Sequence, residues 1–203
     1  MVKIEYLNKI TDDRNNSIKK QLDLKERVFK TLDNLLTHYY QVKLKKKMTL
    51  LDLGSADNSF VQVAMNNGLD VQGIDVDKVN FENEDLPFAE KNFDIITLNS
   101  VLEHLHNPEK LLNNIKRILK DKGFFIIITP NWKYSFKEFY NDPTHVKPYT
   151  PESLEFLLSS FKFTNIKIVP WLVLKPSWLW DFPCKFYFAS KIPFRNDANK
   201  LIP

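Results

Sequence analysis

Two acids, one glycine and two histidines stand in this chain where their types and spacing could do chemistry. Asp52 lies in the apolar run Thr49-Leu50-Leu51-Asp52-Leu53, directly ahead of Gly54. A second acid, Asp75, follows 23 positions later, closing Val71-Gln72-Gly73-Ile74-Asp75. A glycine turn running into a helix exposes unpaired N–H groups and a partial positive charge. A carboxylate at the end of the next strand can accept both hydroxyls of a ribose. An aspartate ending a strand is often only a turn residue, but the three features at this spacing predict nucleotide binding. Further along, His104 and His145 fall in loops past expected strand ends, where an imidazole can accept a proton near neutral pH.

The elements that would position these groups are readable from periodicity. Residues 17–42 read as an amphipathic helix, with Leu24, Val28, Leu32, Leu35 and Tyr39 at three- and four-residue steps. A buried strand over 49–53 is followed by a helix from Ser59 to Asn67, a strand over 70–75 and a strand over Phe93–Asn99. Asn107, Pro108 and Glu109 announce a helix whose stripe is Leu111, Leu112, Ile115, Ile118 and Leu119. The run 124–129 is continuously apolar, as in a strand buried on both faces. Thr150 and Pro151 open one more helix, and Asn165–Val169 reads as a last strand. Strands alternating with helices predict an α/β fold with a doubly wound, mainly parallel sheet covered by helices on both faces. In such a sheet ligands bind beyond the carboxyl ends of the strands, which places 52–59, 75–86, 99–106 and 130–149 at the site.

Glycine is scarce, four in 203 residues, and all four fall at element ends or within expected strands: Gly54, Gly68, Gly73 and Gly123. The net charge of +4 is mild and carries no expectation of nucleic acid binding. The run Lys43-Leu44-Lys45-Lys46-Lys47 reads as a solvated connection. Cys184 is the single cysteine, so no internal disulfide can form. No leader pattern opens the chain and no apolar run approaches the roughly 20 residues of a membrane span, so a cytoplasmic location is expected.

The order of these segments resembles the class I S-adenosylmethionine-dependent methyltransferases, in the broad group called type 11 or type 23. Leu51-Asp52-Leu53-Gly54-Ser55-Ala56-Asp57-Asn58-Ser59-Phe60 is similar to their first motif, D-x-G-x-G-x-G, and Gly73-Ile74-Asp75 to their ribose-binding segment. Asp85-Leu86-Pro87-Phe88, Phe93-Asp94, Leu102-Glu103-His104-Leu105 and Thr129-Pro130-Asn131 are similar to the later motifs, and Asp142-Pro143-Thr144-His145 to a string found in some members. The resemblance implies S-adenosylmethionine as cofactor. Gly54, Ser55 and Ala56 would lie along its methionine portion, with Asp52 holding the loop. Asp75, with Val76 beside it, would take the ribose, Asp85 and Leu86 would border the adenine, and Asn99 would face the methionine amine or sulfonium. Three departures stand out. Ala56 and Asn58 replace the second and third glycines, the stretch from Asp75 to Leu86 leaves little room for the usual helix and strand, and the strand that normally closes the sheet as a hairpin has no evident counterpart after Val169. The expected organisation is therefore an N-terminal helical segment (1–48), a methyltransferase core (49–170) possessing or lacking its last strand, and an aromatic, proline-rich cap (171–203).

Methyl transfer from a sulfonium is an in-line displacement in which alignment matters most, and a hydroxyl or protonated amine acceptor must also lose a proton. His145 is the candidate base, against a loop-ordering bond with Asp142 or Thr144. His104 is a candidate for the same work, against bracing the cofactor loop. His38 reads as a surface residue and His106 as a structural one. Tyr134, Tyr140 and Tyr149 could line the same cavity, and no spacing of histidines or carboxylates marks a metal site. The tail, with Trp171, Trp178, Trp180, Phe182 and Phe186, reads either as packing over a sheet edge, or as a lid or peripheral membrane contact. A small-molecule, lipid-linked or carbohydrate-linked acceptor, methylated on oxygen, nitrogen or carbon, is the leading expectation. A cofactor-binding but inactive partner subunit is its first rival and a nicotinamide-dependent oxidoreductase its second.

Overall fold

The computed structural model describes residues 18–170 and 200–202, with side chains from 21 to 169. Helix α1 (Ile18–Tyr40) precedes β1 (Thr49–Leu53), α2 (Ser59–Asn66), β2 (Asp70–Ile74) and β3 (Phe93–Asn99). Then follow α3 (Glu109–Ile118), β4 (Leu119–Pro130), the short α4 (Trp132–Ser135), α5 (Pro151–Ser160), β5 (Val169–Pro170) and β6 (Lys200–Ile202). The strands form one sheet in the order β2-β1-β3-β4-β6-β5, the first four parallel and β6 antiparallel to both its neighbours. This is the Rossmann-like architecture expected from the sequence.

Side chains alternate across the sheet, and the two faces bury separate cores. Leu50, Val71, Ile95, Ile126 and Ile128 pack with Val28, Phe29, Leu32, Leu35 and Leu36 of α1 and with α2. Leu51, Leu53, Ile74, Ile96, Leu98 and Ile127 pack with Leu111, Leu112 and Ile115 of α3 and Leu154 and Leu158 of α5. The face that α1 buries is turned slightly from the expected stripe. Leu24 is exposed, whereas Phe29 and Leu36 are buried. Strand order reverses between β1 and β3, so the crevice of this sheet opens beyond Leu53 and Asn99.

Two expectations need correction. The closing strand is present. Lys200–Ile202 occupies the place between β4 and β5, pairing Thr129 with Leu201 and Val169 with Ile202. Three residues carry too little alternation to be recognised from sequence. The expected strand over 165–169 shrinks to Val169–Pro170, because Lys162 and Asn165 take positive φ (60° and 58°) and break the extended chain. The tail from 171 to 199 lies outside the described residues, as does 1–17. The stretch 75–92 holds no helix or strand, in keeping with the short span expected from Asp75 to Leu86, and Val79, Phe81 and Leu86 plug it into the core. Among the described residues no helix is long and apolar enough to cross a membrane.

Helix α3 starts where the sequence signals placed it. The Glu109 amide donates to Asn107 Oδ1 (3.0 Å), and Pro108 precedes the first turn. Helix α5 is opened by a reciprocal capping box. The Ser153 amide donates to Thr150 Oγ1 (3.2 Å) and the Thr150 amide to Ser153 Oγ (2.8 Å). This cap ends the loop that carries His145, so it fixes where that loop rejoins the core. Thr150→Ala should lower stability by about 1 kcal/mol in chemical denaturation; an unchanged midpoint would show that Pro151 alone sets the helix start.

Candidate active site

The turn after β1 is built on backbone that a side chain would disturb. Gly54 has φ +77° and donates its amide to the Ile74 carbonyl (2.8 Å). A Cβ on Gly54 would lie 2.3 Å from Cγ2 of Val101, so Val101 already occupies the space beside the glycine. The positions where the family carries its second and third glycines, Ala56 and Asn58, keep left-handed backbone with φ of 46° and 57°. The turn thus retains its glycine-like path without the glycines. Its Ser55 and Asn58 side chains fold over Gly73 of β2, where a Cβ would come within 2.8 Å of both.

Asp75, at the end of β2 and partly exposed, ties this turn to the neighbouring strand. Its Oδ2 accepts the Ala56 amide (2.7 Å) and its Oδ1 the Val76 amide (2.7 Å). An ionised carboxylate offers about four acceptor positions, so two bonds leave capacity for two more donors. Those are what vicinal ribose hydroxyls require, and the residues present fit an adenosyl group here. Asp52 sits deeper. It is buried, paired in register with Thr97, and accepts the Thr97 hydroxyl at 2.7 Å. Burial pushes its carboxyl up to about 6, against the Thr97 bond that favours the ionised form. It underlies the turn, while Asp75 faces the crevice.

The remaining expected cofactor residues are placed as follows. Asp85 is exposed and pairs with Lys110 at 2.8 Å, and that bond holds its carboxyl below the usual range. Leu86 points into the core. Its amide donates to Asn114 Oδ1 (3.2 Å) and its carbonyl accepts from Arg117 Nη2 (2.9 Å), so helix α3 fixes this segment. Asn99 ends β3 beside the turn, partly exposed, and Val76 is exposed next to Asp75.

The segment 131–149 is a closed excursion from the end of β4. Asn131 bridges Tyr149, and the Trp132 amide donates to the Tyr149 carbonyl (2.8 Å). Its inner part folds back on the residues after β3, where the Val146 and Lys147 amides both donate to the Glu103 carbonyl (2.9 and 3.1 Å). This brings His104 and His145 together, with ring centroids 4.7 Å apart. His145 Nδ1 lies 2.7 Å from the Phe139 carbonyl. His104 Nδ1 lies 3.1 Å from the Thr144 carbonyl and 2.9 Å from its hydroxyl. A carbonyl only accepts, so in each ring Nδ1 is the donor. His145 Nε2 is 3.8 Å from Asp142 Oδ2. Burial raises the Asp142 carboxyl, but the Thr144 hydroxyl and amide bonds and the two histidines outweigh it and hold the group below its ordinary value.

Glu103, whose part the sequence reading did not foresee, completes this cluster. It is 1% exposed and accepts the Thr129 hydroxyl at Oε2 (3.0 Å). Ligand-type atoms of Glu103, His104 and His145 lie within 4.8 Å of one another, a grouping that sequence spacing hid because the loop supplies it across some 40 positions. A charged residue inside Leu102-Glu103-His104-Leu105 was the one available signal. Tyr149 is buried, which with the nearby Glu103 charge raises its hydroxyl. Tyr134 and Tyr140 are 63% and 58% exposed. His106 donates its amide to Glu82 (2.9 Å), and His38 lies on the surface against Tyr39.

The family model for the methyltransferase domain matches residues 21–168, and the chain belongs to that family, the class I S-adenosylmethionine-dependent methyltransferases. S-adenosylmethionine is the cofactor this family uses. An uncharacterized protein of Methanocaldococcus jannaschii, MJ0638, is 34% identical over 99 residues, covering 44% of each chain. The ubiquinone biosynthesis O-methyltransferase of Coxiella burnetii is 27% identical over 114 residues, 46% of this chain and 48% of that enzyme. The chain thus spans less than half the length of these relatives. Among solved structures, an S-adenosylmethionine-dependent methyltransferase from Archaeoglobus fulgidus superposes with a TM-score of 0.57 at 22% identity, covering 85% of this chain and 92% of that one. The plantazolicin methyltransferase BpumL, in complex with S-adenosylhomocysteine, gives 0.58 at 13% identity over 98% and 88%. At such identities these structures share the fold.

Two measurements probe this site. Asp75→Ala should weaken S-adenosylhomocysteine binding by about 1–3 kcal/mol in titration calorimetry, because hydroxyls would be left without an acceptor; unchanged affinity would remove Asp75 from the site. Asp52 titrates higher in the folded chain than in the unfolded one, so the folded state binds the extra proton between about pH 4 and 6. Its contribution is therefore present below that window and lost as pH rises through it. Compared with Asp52→Asn, the wild type should lose on the order of 2 kcal/mol of stability from pH 4 to 7, measured by denaturation at each pH. Parallel curves for the two proteins would contradict the buried assignment.

Proposed function

We propose that this chain transfers the methyl group of S-adenosylmethionine to an oxygen of a small or lipid-linked acceptor held between the turn after β1 and the loop 131–149. The observation that carries the reading is the His145 imidazole, whose Nδ1–H is committed to the Phe139 carbonyl and whose ring packs against His104 of the loop after β3. Val101 lies against Gly54 of that turn, and Glu103 and His104 follow two and three positions later in the same loop, which supports a crevice shared by donor and cluster. In the reaction the acceptor oxygen attacks the methyl carbon, the carbon–sulfur bond breaks, and its electron pair stays on sulfur as the sulfonium charge disappears. The acceptor must lose its proton, and His145 would take it as general base, the charge of the resulting imidazolium being favoured by Asp142 (3.8 Å). An oxygen acceptor also agrees with the partial similarity to the Coxiella O-methyltransferase. The exposed rings of Phe136 and Tyr140, joined by Trp132 to the Phe139 ring, form an apolar approach to His145 that suits a hydrophobic acceptor.

The rival in which the chain only binds cofactor rests on Ala56, Asn58 and a missing closing strand, and the strand is present as Lys200–Ile202. The left-handed backbone of Ala56 and Asn58 also weighs against it, since the turn they form is the one glycines would form. His145→Asn should lower turnover about 100-fold in a methyl-transfer assay over a panel of phenolic and lipid-linked acceptors, while leaving S-adenosylhomocysteine affinity unchanged. Normal turnover per folded molecule with a lowered melting temperature would make His145 a structural residue.

A further inference from the structure

The geometry points to a divalent transition-metal site formed by Glu103, His104 and His145. Two imidazoles and a carboxylate are the ligand set that takes Zn2+ or Fe2+ with open positions left over. The three groups come from two segments separated in sequence, and their ligand-type atoms converge within 4.8 Å. An isolated cluster of such residues would prove little; what surrounds it is more telling. Metal-binding histidines characteristically donate their other ring N–H to a carbonyl or carboxylate, and ligating carboxylates are themselves hydrogen-bonded. All three have that outer support here. His145 Nδ1 is on the Phe139 carbonyl (2.7 Å), His104 Nδ1 is on the Thr144 carbonyl (3.1 Å), and Glu103 Oε2 accepts the Thr129 hydroxyl (3.0 Å). Each ring is thereby held in the tautomer whose Nε2 can ligate.

Two further groups lie around the cluster. Asp142 Oδ2, 3.8 Å from His145 Nε2, adds negative charge on the side of the loop. The Tyr149 hydroxyl is buried and has no hydrogen-bond partner among the described residues, a buried polar group beside Glu103 that an ion-bound water could satisfy. Mg2+ prefers all-oxygen octahedral sites and suits two imidazoles poorly, so discrimination for Zn2+ over Mg2+ is expected. The ion's use rests on the methyltransferase reading. With Nε2 of His145 on the ion that ring no longer takes the acceptor's proton; an acceptor hydroxyl on an open position would instead release it to water more readily, and the resulting oxygen anion would attack the methyl carbon. Ion binding itself does not depend on that reading.

The test uses the full chain freed of metal by a chelator and titrated with Zn2+ by calorimetry, with S-adenosylhomocysteine titrated separately. One Zn2+ per chain should bind, with no heat from Mg2+. His145→Asn should weaken Zn2+ at least about tenfold, and Thr129→Val, which keeps side-chain shape, about tenfold by loosening Glu103. The Thr129 variant keeps the test decisive if His145→Asn folds poorly. No saturable Zn2+ binding, or equal affinity in both variants and the wild type, would overturn the site. Cofactor binding without Zn2+ binding would overturn this inference alone, and Zn2+ binding without cofactor binding would overturn the methyltransferase reading alone.

Discussion

The close approach of Val101 to Gly54 joins the two halves of this site. The turn after β1 can carry a ligand only if its backbone keeps the left-handed path, and the loop after β3 can present Glu103 and His104 only if it stays against that turn. A missing side chain at Gly54 lets the methyl of Val101 fill the space, so both conditions are met by one contact. Any larger residue at position 54 would meet Val101 and an unfavourable φ at once. The parallel pairing of β1 with β2 and β3 then sets the distance from this contact to Asp75 on one side and to the histidines on the other.

Around that contact the structure divides its work between the sheet and the loop. The sheet supplies rigidity, with two apolar faces buried by helices and Asp52 held beneath the turn by Thr97. The loop 131–149 supplies the second set of groups, tied at its base by Asn131 and Tyr149 and at its middle by the amides that reach Glu103. Membership of the methyltransferase family accounts for the sheet and the turn after β1; the cluster joins Glu103 and His104 of the segment after β3 to His145 of the loop after β4.

What could be read from the sequence was what depends on neighbours along the chain. Periodicity placed β1, β3, α3 and α5 within a residue or two, because burial, capping and proline at a helix start are local effects. The turn at Gly54 and the acid that follows β2 were legible for the same reason, as was the shortness of the span from Asp75 to Leu86. Contacts made by folding at a distance were not. Neither Thr97 beneath Asp52 nor the meeting of Glu103 with His145 leaves a mark in local spacing, and β6 is too short to show alternation. The expected strand at 165–169 failed because apolar alternation cannot reveal left-handed backbone at Lys162 and Asn165.

The claim at the centre is that the donor turn and the histidine cluster form a single crevice with the methyl donor between them. A crystal structure of the full chain with S-adenosylhomocysteine tests it most directly. The account predicts ribose hydroxyls on the Asp75 carboxylate and the sulfur directed toward His104 and His145. Ligand bound elsewhere, or a sulfur turned away from the histidines with the 131–149 loop still in place, would contradict it.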